Sequence, residues 1–448
     1  MLSVNPADGA VLSVLYGTDA MRMVVGERAF LGQMLAVEAA LARAQARLGI
    51  IPEEAATAIT EAAAVDKLDL PALARATRAA GYPVIGLVRQ LAALAGTEVG
   101  RWVHWGATTQ DIIDTAVVLQ MREAFVLIAT DLDRLNAALA ERARQHRETV
   151  MAGRTHLQQA LPVTFGYKCA VWLSPLITMR QRLEQLMPRV LKLQFGGAAG
   201  TLASLGGRGI TVAEALAQEL DLTAPDIPWH AARDSMAEAV CFLGLLAGSL
   251  GKFASDVMLL MQTEVAEVAE PYNPGHGASS TMPQKRNPIG CEYVVAQAHG
   301  VQALVPQMLG AMSVDQERGA GPWQTEPLAL PQAFTLAHGA LVQAVTIAEG
   351  MTVDTARMRR NLEASGGLIM AEAVMMGLTP MLGRGGAHEA VSRACDTALA
   401  EHVTLAEALG RDSCVAGVLD AESLARLTDP ASYLGSAAAF TDQVLARL

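Results

Sequence analysis

The sequence is poor in aromatic residues and lacks paired cysteines, and each shortage excludes a class of structure. Aromatic residues make up 4% of the 448 residues and hydrophobic residues 52%, so small and aliphatic side chains must form the core. This composition favours helices over strands. The five cysteines include no C-x-x-C pair, which argues against a disulfide framework and a zinc site. We therefore expect an all-α protein without a metal or cofactor, in the reducing cytoplasm.

Positive charge is also scarce. The chain has 34 lysine and arginine residues against 45 aspartate and glutamate residues, which gives a formal charge of −11. A protein that binds nucleic acid needs a basic face to replace the counterions of the phosphate backbone. We therefore expect no nucleic-acid partner, and an anionic small molecule would need a local cationic pocket.

Charged residues are absent from two long apolar stretches, Tyr293 to Val314 and Pro327 to Ala348. Both contain prolines, glutamines and a histidine, which would be costly against lipid. We expect buried helices of a bundle rather than membrane spans. The N-terminal segment has no basic region before its apolar residues, so we also expect no signal peptide.

Apolar residues recur every three or four positions from Ile113 to Leu139, which predicts one long amphipathic helix. Runs with few prolines at residues 164–187, 231–270 and 332–350 predict further long helices. The order of shorter helices, long helices and then glycine-interrupted helices predicts three domains, with boundaries at residues 1–105, 106–355 and 356–448.

The glycine-rich stretch at residues 194–209 is predicted to be a loop, either a flexible linker or a place where the backbone bends or approaches another group closely. A dinucleotide-binding loop is excluded, because no strand precedes the glycines and the chain has no βαβ pattern.

Three polar clusters stand near the predicted ends of long helices. The first, "HWGATTQDIIDT", is also ordinary composition for capping a helix. The second, "GRTHLQQALPVTFG", contains a histidine that a structural role would also explain. The third, "GASSTMPQKRNP" at residues 277–288, would as a plain surface loop carry solvated cations. However, Pro288 can start a helix, whose exposed N–H groups would favour an anion beside Lys285 and Asn287.

The third cluster resembles the GSSxMPxKxNP signature of the fumarase/aspartase superfamily, with Ala278 in place of the first glycine. The other two clusters resemble the remaining conserved regions of that superfamily. Within it, residues 100–330 are most similar to the bacterial 3-carboxy-cis,cis-muconate cycloisomerases. The N- and C-terminal parts match only in length and helical character.

The resemblance implies an all-α, three-domain fold with a long central helical bundle. It also implies a homotetramer in which the central helices form a twenty-helix core and each active site is built by three subunits. In a core shared by four chains, the two uncharged helices would need no polar face.

The resemblance further implies removal of a proton next to a carboxylate of a small di- or tricarboxylate, with loss of a group from the neighbouring carbon. Ser279 would be the general base, stabilised by backbone N–H groups of its own loop, and Lys285 and Asn287 would hold the substrate carboxylate. The other implied substrate-binding residues are His104, Thr108, Thr109, Arg154, Thr155 and Gln158.

His156 departs from the cycloisomerase pattern, which tends to have a bulky apolar residue there. Superfamily lyases that release amines or alcohols keep the histidine, and Glu292 would pair with it and raise its proton affinity. Three enzymatic functions therefore remain open: a cycloisomerase, a C–N lyase of the adenylosuccinate or argininosuccinate type, and an epimerase of an amino-linked dicarboxylate such as iminodisuccinate. A non-catalytic, crystallin-like role is disfavoured by the retained polar residues.

Overall fold

The computed structural model describes residues 6–272, 274–275 and 277–448, and these residues are mostly helical. The prediction of an all-α fold is confirmed. The α-helices, numbered in chain order, are α1 Asp19–Val25, α2 Glu27–Arg47, α3 Glu53–Ala62, α4 Leu70–Ala80, α5 Val84–Ala95, α6 Thr97–Gly100, α7 Thr109–Gln145, α8 Phe165–Val190, α9 Gly209–Leu220, α10 Asp234–Leu260, α11 Ile289–Gly310, α12 Glu326–Gly350, α13 Thr355–Glu363, α14 Ala371–Glu401, α15 Leu405–Arg411, α16 Ser413–Ala416, α17 Ala421–Thr428 and α18 Ala437–Leu445.

Four short strands form two antiparallel pairs within the described residues. Strands β1 (Val150–Thr155) and β2 (Gln158–Thr164) make a hairpin, whose register is irregular between Gly153 and Arg154. Strand β3 (Val268–Ala269) pairs with β4 (Thr352–Val353). The hairpin holds most of the second polar cluster, which the sequence analysis placed ahead of a helix without predicting strands. Its β-branched residues and its two-residue turn explain the strand pairing.

The long amphipathic helix is confirmed as α7. The side chains of Ile128, Leu132, Leu135 and Leu139 along its predicted stripe are fully buried. Helices α8 and α12 confirm two further runs, whereas α10 ends at Leu260 instead of reaching residue 270. The segment that follows α10 carries Glu267 and Glu270, whose buried side chains form hydrogen bonds.

The chain divides into two compact units, and the long helices contribute to both. The core of unit 1 contains buried side chains of α2, α3, α5 and α9. In unit 2, one apolar cluster lies among α14, α15 and α16.

The three-domain boundaries remain a prediction. Unit 1 comprises Met1–Leu132, Met179–Gly251 and Tyr293–Val342, and unit 2 comprises Asp133–Thr178, Lys252–Glu292 and Gln343–Leu448.

Two segments are long and apolar enough to cross a membrane by length and composition, Asp234–Leu260 and Trp323–Gly350. In their most apolar windows, 61% and 67% of the residues are buried within the chain. A third would qualify only if the bent pair Thr355–Glu363 and Leu368–Glu401 were a single span. The second segment contains the stretch Pro327 to Ala348, for which the sequence analysis expected a buried helix of a bundle.

Candidate active site

In unit 1, the carboxylate of Asp111 organises the first polar cluster at the start of α7. Its Oδ1 accepts the backbone N–H of Gly196 at 2.9 Å and lies 2.7 Å from His230 Nε2. Its Oδ2 accepts the N–H groups of Gly197 at 2.9 Å and Thr108 at 3.0 Å. Asp111 therefore caps the helix, as its composition suggested, and also attaches the glycine-rich loop to it.

The glycine-rich loop needs its glycines for close approach. A Cβ on Gly196 would lie 2.7 Å from Pro228 Cβ and 2.9 Å from the His230 ring. Gly197 has a φ of +67°, which favours glycine. The prediction of a backbone that bends and closely approaches other groups is confirmed, and this structure does not support the flexible-linker alternative.

His104 lies in the same cluster, in a left-handed conformation with φ +63°. Its Nδ1 is 2.6 Å from Oε1 of Glu38, whose side chain is buried on α2. Burial alone would lower the pKa of His104. The charge and hydrogen bond of Glu38, with a smaller contribution from Asp111, outweigh burial and raise that pKa above its ordinary value.

Arg318 adds a cation that the sequence analysis did not assign to a contact. Its Nη1 donates to Thr108 Oγ1 at 2.9 Å, and its Nη2 donates to the carbonyl oxygens of Gly197 at 3.1 Å and Ala198 at 2.9 Å. Thr109 is the first residue of α7. The first cluster therefore brings the guanidinium of Arg318 to the Thr108 hydroxyl, next to the loop that Asp111 and His230 hold.

In unit 2, the second cluster presents His156 at the tip of the β1–β2 hairpin. His156 and Leu157 form its two-residue loop, with φ values of +50° and +63°. Positive φ at both positions is required by a type I′ turn and is strained for residues other than glycine, asparagine and aspartate. Thr155 and Gln158 pair across the hairpin end, and all four of these side chains are exposed in the single chain.

Arg154 is held by a buried carboxylate rather than left free. Its Nη1 and Nη2 donate to the two oxygens of Glu267 at 2.9 and 2.7 Å. Asn361 donates to the same carboxylate at 2.8 Å. Both terminal nitrogens of the Arg154 guanidinium therefore attach β1 to the segment before β3. The contact of Arg154 with substrate stays a prediction.

The third cluster is a loop closed at its two ends. Both the backbone N–H and the side-chain amide of Asn287 donate to the carbonyl of Gly277, at 3.0 and 3.1 Å. Gly277 has a φ of +66°, and a Cβ there would lie 2.4 Å from the Asn287 carbonyl oxygen. Asn287 was predicted to hold a substrate carboxylate. One of its two amide hydrogens closes the loop, and the other has no acceptor among the described residues.

Ser279 lies half-buried inside this loop. Its Oγ accepts the backbone N–H of Met282 at 3.1 Å and of Thr281 at 3.4 Å. Two N–H dipoles directed at one oxygen stabilise negative charge on it. The side chain of Lys285, in the same loop, is exposed in the single chain.

Helix α11 begins after Pro288, as predicted, but its N-terminus is not open to an anion. Glu270, 7% exposed, accepts the N–H groups of Gly290 at 3.1 Å and Cys291 at 2.6 Å. The expectation of exposed N–H groups was therefore wrong, because a carboxylate of the chain itself already occupies the positive end of the helix dipole.

The predicted pair of His156 and Glu292 does not form within one described chain. Both side chains are exposed, and no hydrogen bond or ion pair between them is present among the described residues. Their pairing stays a prediction. Within the same described ranges, no group of three or more His, Cys, Asp and Glu side chains is placed to hold a metal ion.

Comparison with known proteins covers both units. Residues 15–303 match the family model described as "Lyase", and residues 367–444 match "Adenylosuccinate lyase C-terminus". The chain is 47% identical to 3-carboxy-cis,cis-muconate cycloisomerase of Pseudomonas aeruginosa, covering 95% of this chain and 94% of the relative. It is 42% identical to nitrosuccinate lyase of Streptomyces davaonensis, covering 98% of this chain and 94% of that protein.

The fold also matches a solved structure along its length. The crystal structure of 3-carboxy-cis,cis-muconate lactonizing enzyme from Pseudomonas putida has a TM-score of 0.94 and 46% sequence identity, covering 98% of this chain and 99% of the other.

Proposed function

The chain belongs to the fumarate lyase superfamily and is a cycloisomerase-like enzyme of that superfamily, and from this premise we propose that it removes a proton from the carbon next to a carboxylate of a small di- or tricarboxylate. The observation that carries the proposal is the arrangement of Ser279, whose Oγ accepts two backbone N–H groups inside a closed loop.

Ser279 is the general base in this proposal. A serine hydroxyl is a weak base, so its ionised form must be stabilised before it can take a proton. The N–H groups of Thr281 and Met282 supply that stabilisation without moving, and Lys285 adds positive charge from the same loop. The alkoxide takes the proton from carbon, and the electron pair of the C–H bond forms a C=C bond to the carboxylate carbon, whose oxygens then carry two negative charges. That charge returns to form the alkene as the leaving group departs with the electrons of its own bond.

The intermediate has two negative charges on one carboxylate, so donors must surround it. Lys285 and the second amide hydrogen of Asn287 donate to that carboxylate. In the tetramer proposed below, the first cluster of another subunit binds another anionic end of the substrate, through His104, Thr108, Thr109 and Arg318. The exposed Thr155 and Gln158 of the hairpin add neutral donors.

The reaction that we favour is that of a carboxymuconate cycloisomerase, in which a carboxylate adds to an alkene to form a lactone, or leaves in the reverse direction. Support comes from relatives with that activity at 43–47% identity. A carboxylate, with a pKa of ~4, leaves without being protonated, so this reaction needs no general acid at the leaving group.

A second candidate is elimination at a C–N bond, or epimerisation by elimination and re-addition. The observation that favours it is His156, held exposed at a strained hairpin tip, with Glu292 exposed in the same unit. An amine leaves only when it is protonated, and a histidine supported by a carboxylate can supply that proton. The relative named nitrosuccinate lyase, at 42% identity, is named for a lyase reaction rather than for a cycloisomerisation.

We further propose a homotetramer in the cytoplasm, with each active site built from three subunits around a twenty-helix core. The long helices carry exposed apolar side chains that a bundle would cover. Those most exposed include Val126 at 55%, Leu245 at 53%, Leu309 at 48% and Leu328 at 70%. Mixing Ser279→Ala with a variant inactivated in the first cluster, at Arg318, tests the sharing of sites: shared sites regain activity in mixed tetramers, and sites within one chain do not.

The function is tested by turnover of a defined panel: carboxymuconate, argininosuccinate, adenylosuccinate, iminodisuccinate and nitrosuccinate. Alkene absorbance and mass spectrometry follow each reaction. Turnover of carboxymuconate alone supports the favoured reaction, and turnover of an amino-linked dicarboxylate alone supports the second candidate. No turnover, together with no exchange of substrate protons with solvent, would contradict both.

A further inference from the structure

A histidine and a glutamate form a close pair in unit 1, away from the serine loop in sequence. His104 Nδ1 lies 2.6 Å from Oε1 of Glu38. The Glu38 side chain is fully buried, whereas the His104 side chain is 21% exposed. Since a carboxylate only accepts, Nδ1 carries the proton, and Nε2 is the imidazole nitrogen that remains for a ligand.

We propose that Glu38 is a positioning residue, which orients the imidazole of His104 through Nδ1–H and favours its imidazolium form, so that Nε2–H can donate to an anionic end of the substrate. This inference rests on the proposed function only in naming the substrate as the anion. It gives a function to Glu38 on α2, a residue that belongs to none of the three polar clusters of the sequence.

The surroundings of Glu38 support a functional pairing. Its second oxygen, Oε2, is buried and has no hydrogen-bond partner among the described residues, so the imidazole is the group that compensates this carboxylate. A buried carboxylate with one partner is costly in stability, and such a cost is often found where a residue serves a site.

The pair is not required to attach its loop to α2. Gln45, also on α2, already donates from Nε2 to the backbone carbonyl of Trp105 at 2.7 Å. A second attachment one residue away, through a histidine in the left-handed conformation, adds strain to a segment that is already held.

The charges that act on the imidazole come from two elements. Glu38 on α2 is the stronger, through its charge and its hydrogen bond, and Asp111 on α7 adds a weaker contribution. Asp111 already accepts from four groups, so it cannot replace Glu38 as the partner of Nδ1. Burial acts against the effect of both carboxylates, because it disfavours the charged form of the imidazole.

The first test measures the pair directly, without turnover. The chain has nine histidines in its 448 residues, so the signals must be assigned. In an NMR titration of the whole chain, the signal that is lost in His104→Gln is that of His104. Glu38→Gln should lower the pKa of His104, because the charge and the hydrogen bond that raise it are removed, and Glu38→Asp should restore part of it. Glu219→Gln is the matched control, since Glu219 pairs with Arg43 and Arg47 of the same helix. An unchanged His104 titration in Glu38→Gln overturns the proposal.

The second test measures the anion contact. In Glu38→Gln, KM should rise roughly tenfold at pH values between the lowered His104 pKa of the variant and the raised pKa of the wild type, with a smaller change in kcat. The defect should shrink at more acidic pH, where His104 is charged in both proteins, and at more alkaline pH, where it is neutral in both. A defect that is equal at all pH values, or that falls on kcat alone, overturns the proposal.

The two failures are distinguishable. If no panel substrate is turned over, the proposed function fails, and the anion contact is then measured with fumarate as the probe, from the shift of the His104 signal. Weaker fumarate binding in Glu38→Gln than in Glu219→Gln supports the pair, and equal binding overturns it. Circular dichroism shows whether Glu38→Gln folds. If it does not, the same measurements are made on Glu38→Asp.

Discussion

The backbone N–H of Met282 donates to Oγ of Ser279 at 3.1 Å, and the N–H of Thr281 approaches the same oxygen at 3.4 Å. These contacts make Ser279 an acceptor within its own loop, and its hydroxyl hydrogen has no acceptor among residues 6–272, 274–275 and 277–448. The same geometry would stabilise an alkoxide, because the donors are already in place when the charge develops. The closed ends of the loop, at Gly277 and Asn287, keep these donors aligned.

The first prediction concerns that closure. Gly277→Ala should lower kcat by roughly tenfold or more while leaving the thermal midpoint nearly unchanged, because a Cβ there would meet the Asn287 carbonyl oxygen at 2.4 Å. Steady-state kinetics and differential scanning fluorimetry measure the two effects. Gly310→Ala, where a Cβ meets nothing within 4 Å, is the control. Wild-type kcat in Gly277→Ala would show that loop closure is not needed.

The second prediction separates the two proposed reactions. His156→Leu should leave a cycloisomerase within a few-fold of wild-type kcat and should cost a C–N lyase roughly 10²-fold or more, because only the amine needs a proton to leave. Rates on carboxymuconate and on the amino-linked substrates are compared. His388→Leu, at an exposed position on α14, controls for the loss of a histidine. Equal losses on both substrate types would give His156 a structural role.

The third prediction concerns the start of α11. Glu270→Gln should lower the free energy of unfolding by about 1–3 kcal/mol, because the buried N–H groups of Gly290 and Cys291 lose a charged acceptor. Urea denaturation measures the change. Glu389→Gln, at an exposed site on α14, should change it by less than about 0.5 kcal/mol. A Glu270→Gln protein as stable as wild type would mean that water or another group replaces the carboxylate.

The fourth prediction concerns pH. The pKa of folded His104 is raised, so its protonation stabilises the fold. That contribution is fully present below the pKa of the unfolded histidine and is lost as pH rises through the raised folded value. The difference in unfolding free energy between wild type and His104→Gln should therefore shrink from acidic to mildly alkaline pH. Denaturation at several pH values measures it, and a difference that grows with pH would reverse the assigned sign.

Much of the fold was predictable because it is local. Apolar residues spaced by three and four positions predicted α7, and Pro288 predicted the start of α11. The serine loop was predictable because its hydroxyls, cations and prolines lie within one short segment.

The contacts that organise the site were less predictable, because they join residues far apart in sequence. Glu38 and His104 are 66 positions apart, and Arg154 and Glu267 are 113 apart. No local pattern links such carboxylates to their partners. Glu270 shows the consequence: the sequence predicted an open helix N-terminus, and only the tertiary fold reveals that a buried carboxylate fills it.

The most direct test of the central claim is exchange of the substrate proton with solvent in D2O. Wild-type enzyme should incorporate deuterium at the carbon next to the carboxylate, seen by mass spectrometry, and so should Ser280→Ala. Ser279→Ala should lose this exchange by roughly 10²–10⁴-fold while remaining folded. Exchange at the wild-type rate in Ser279→Ala would contradict the assignment of Ser279 as the base.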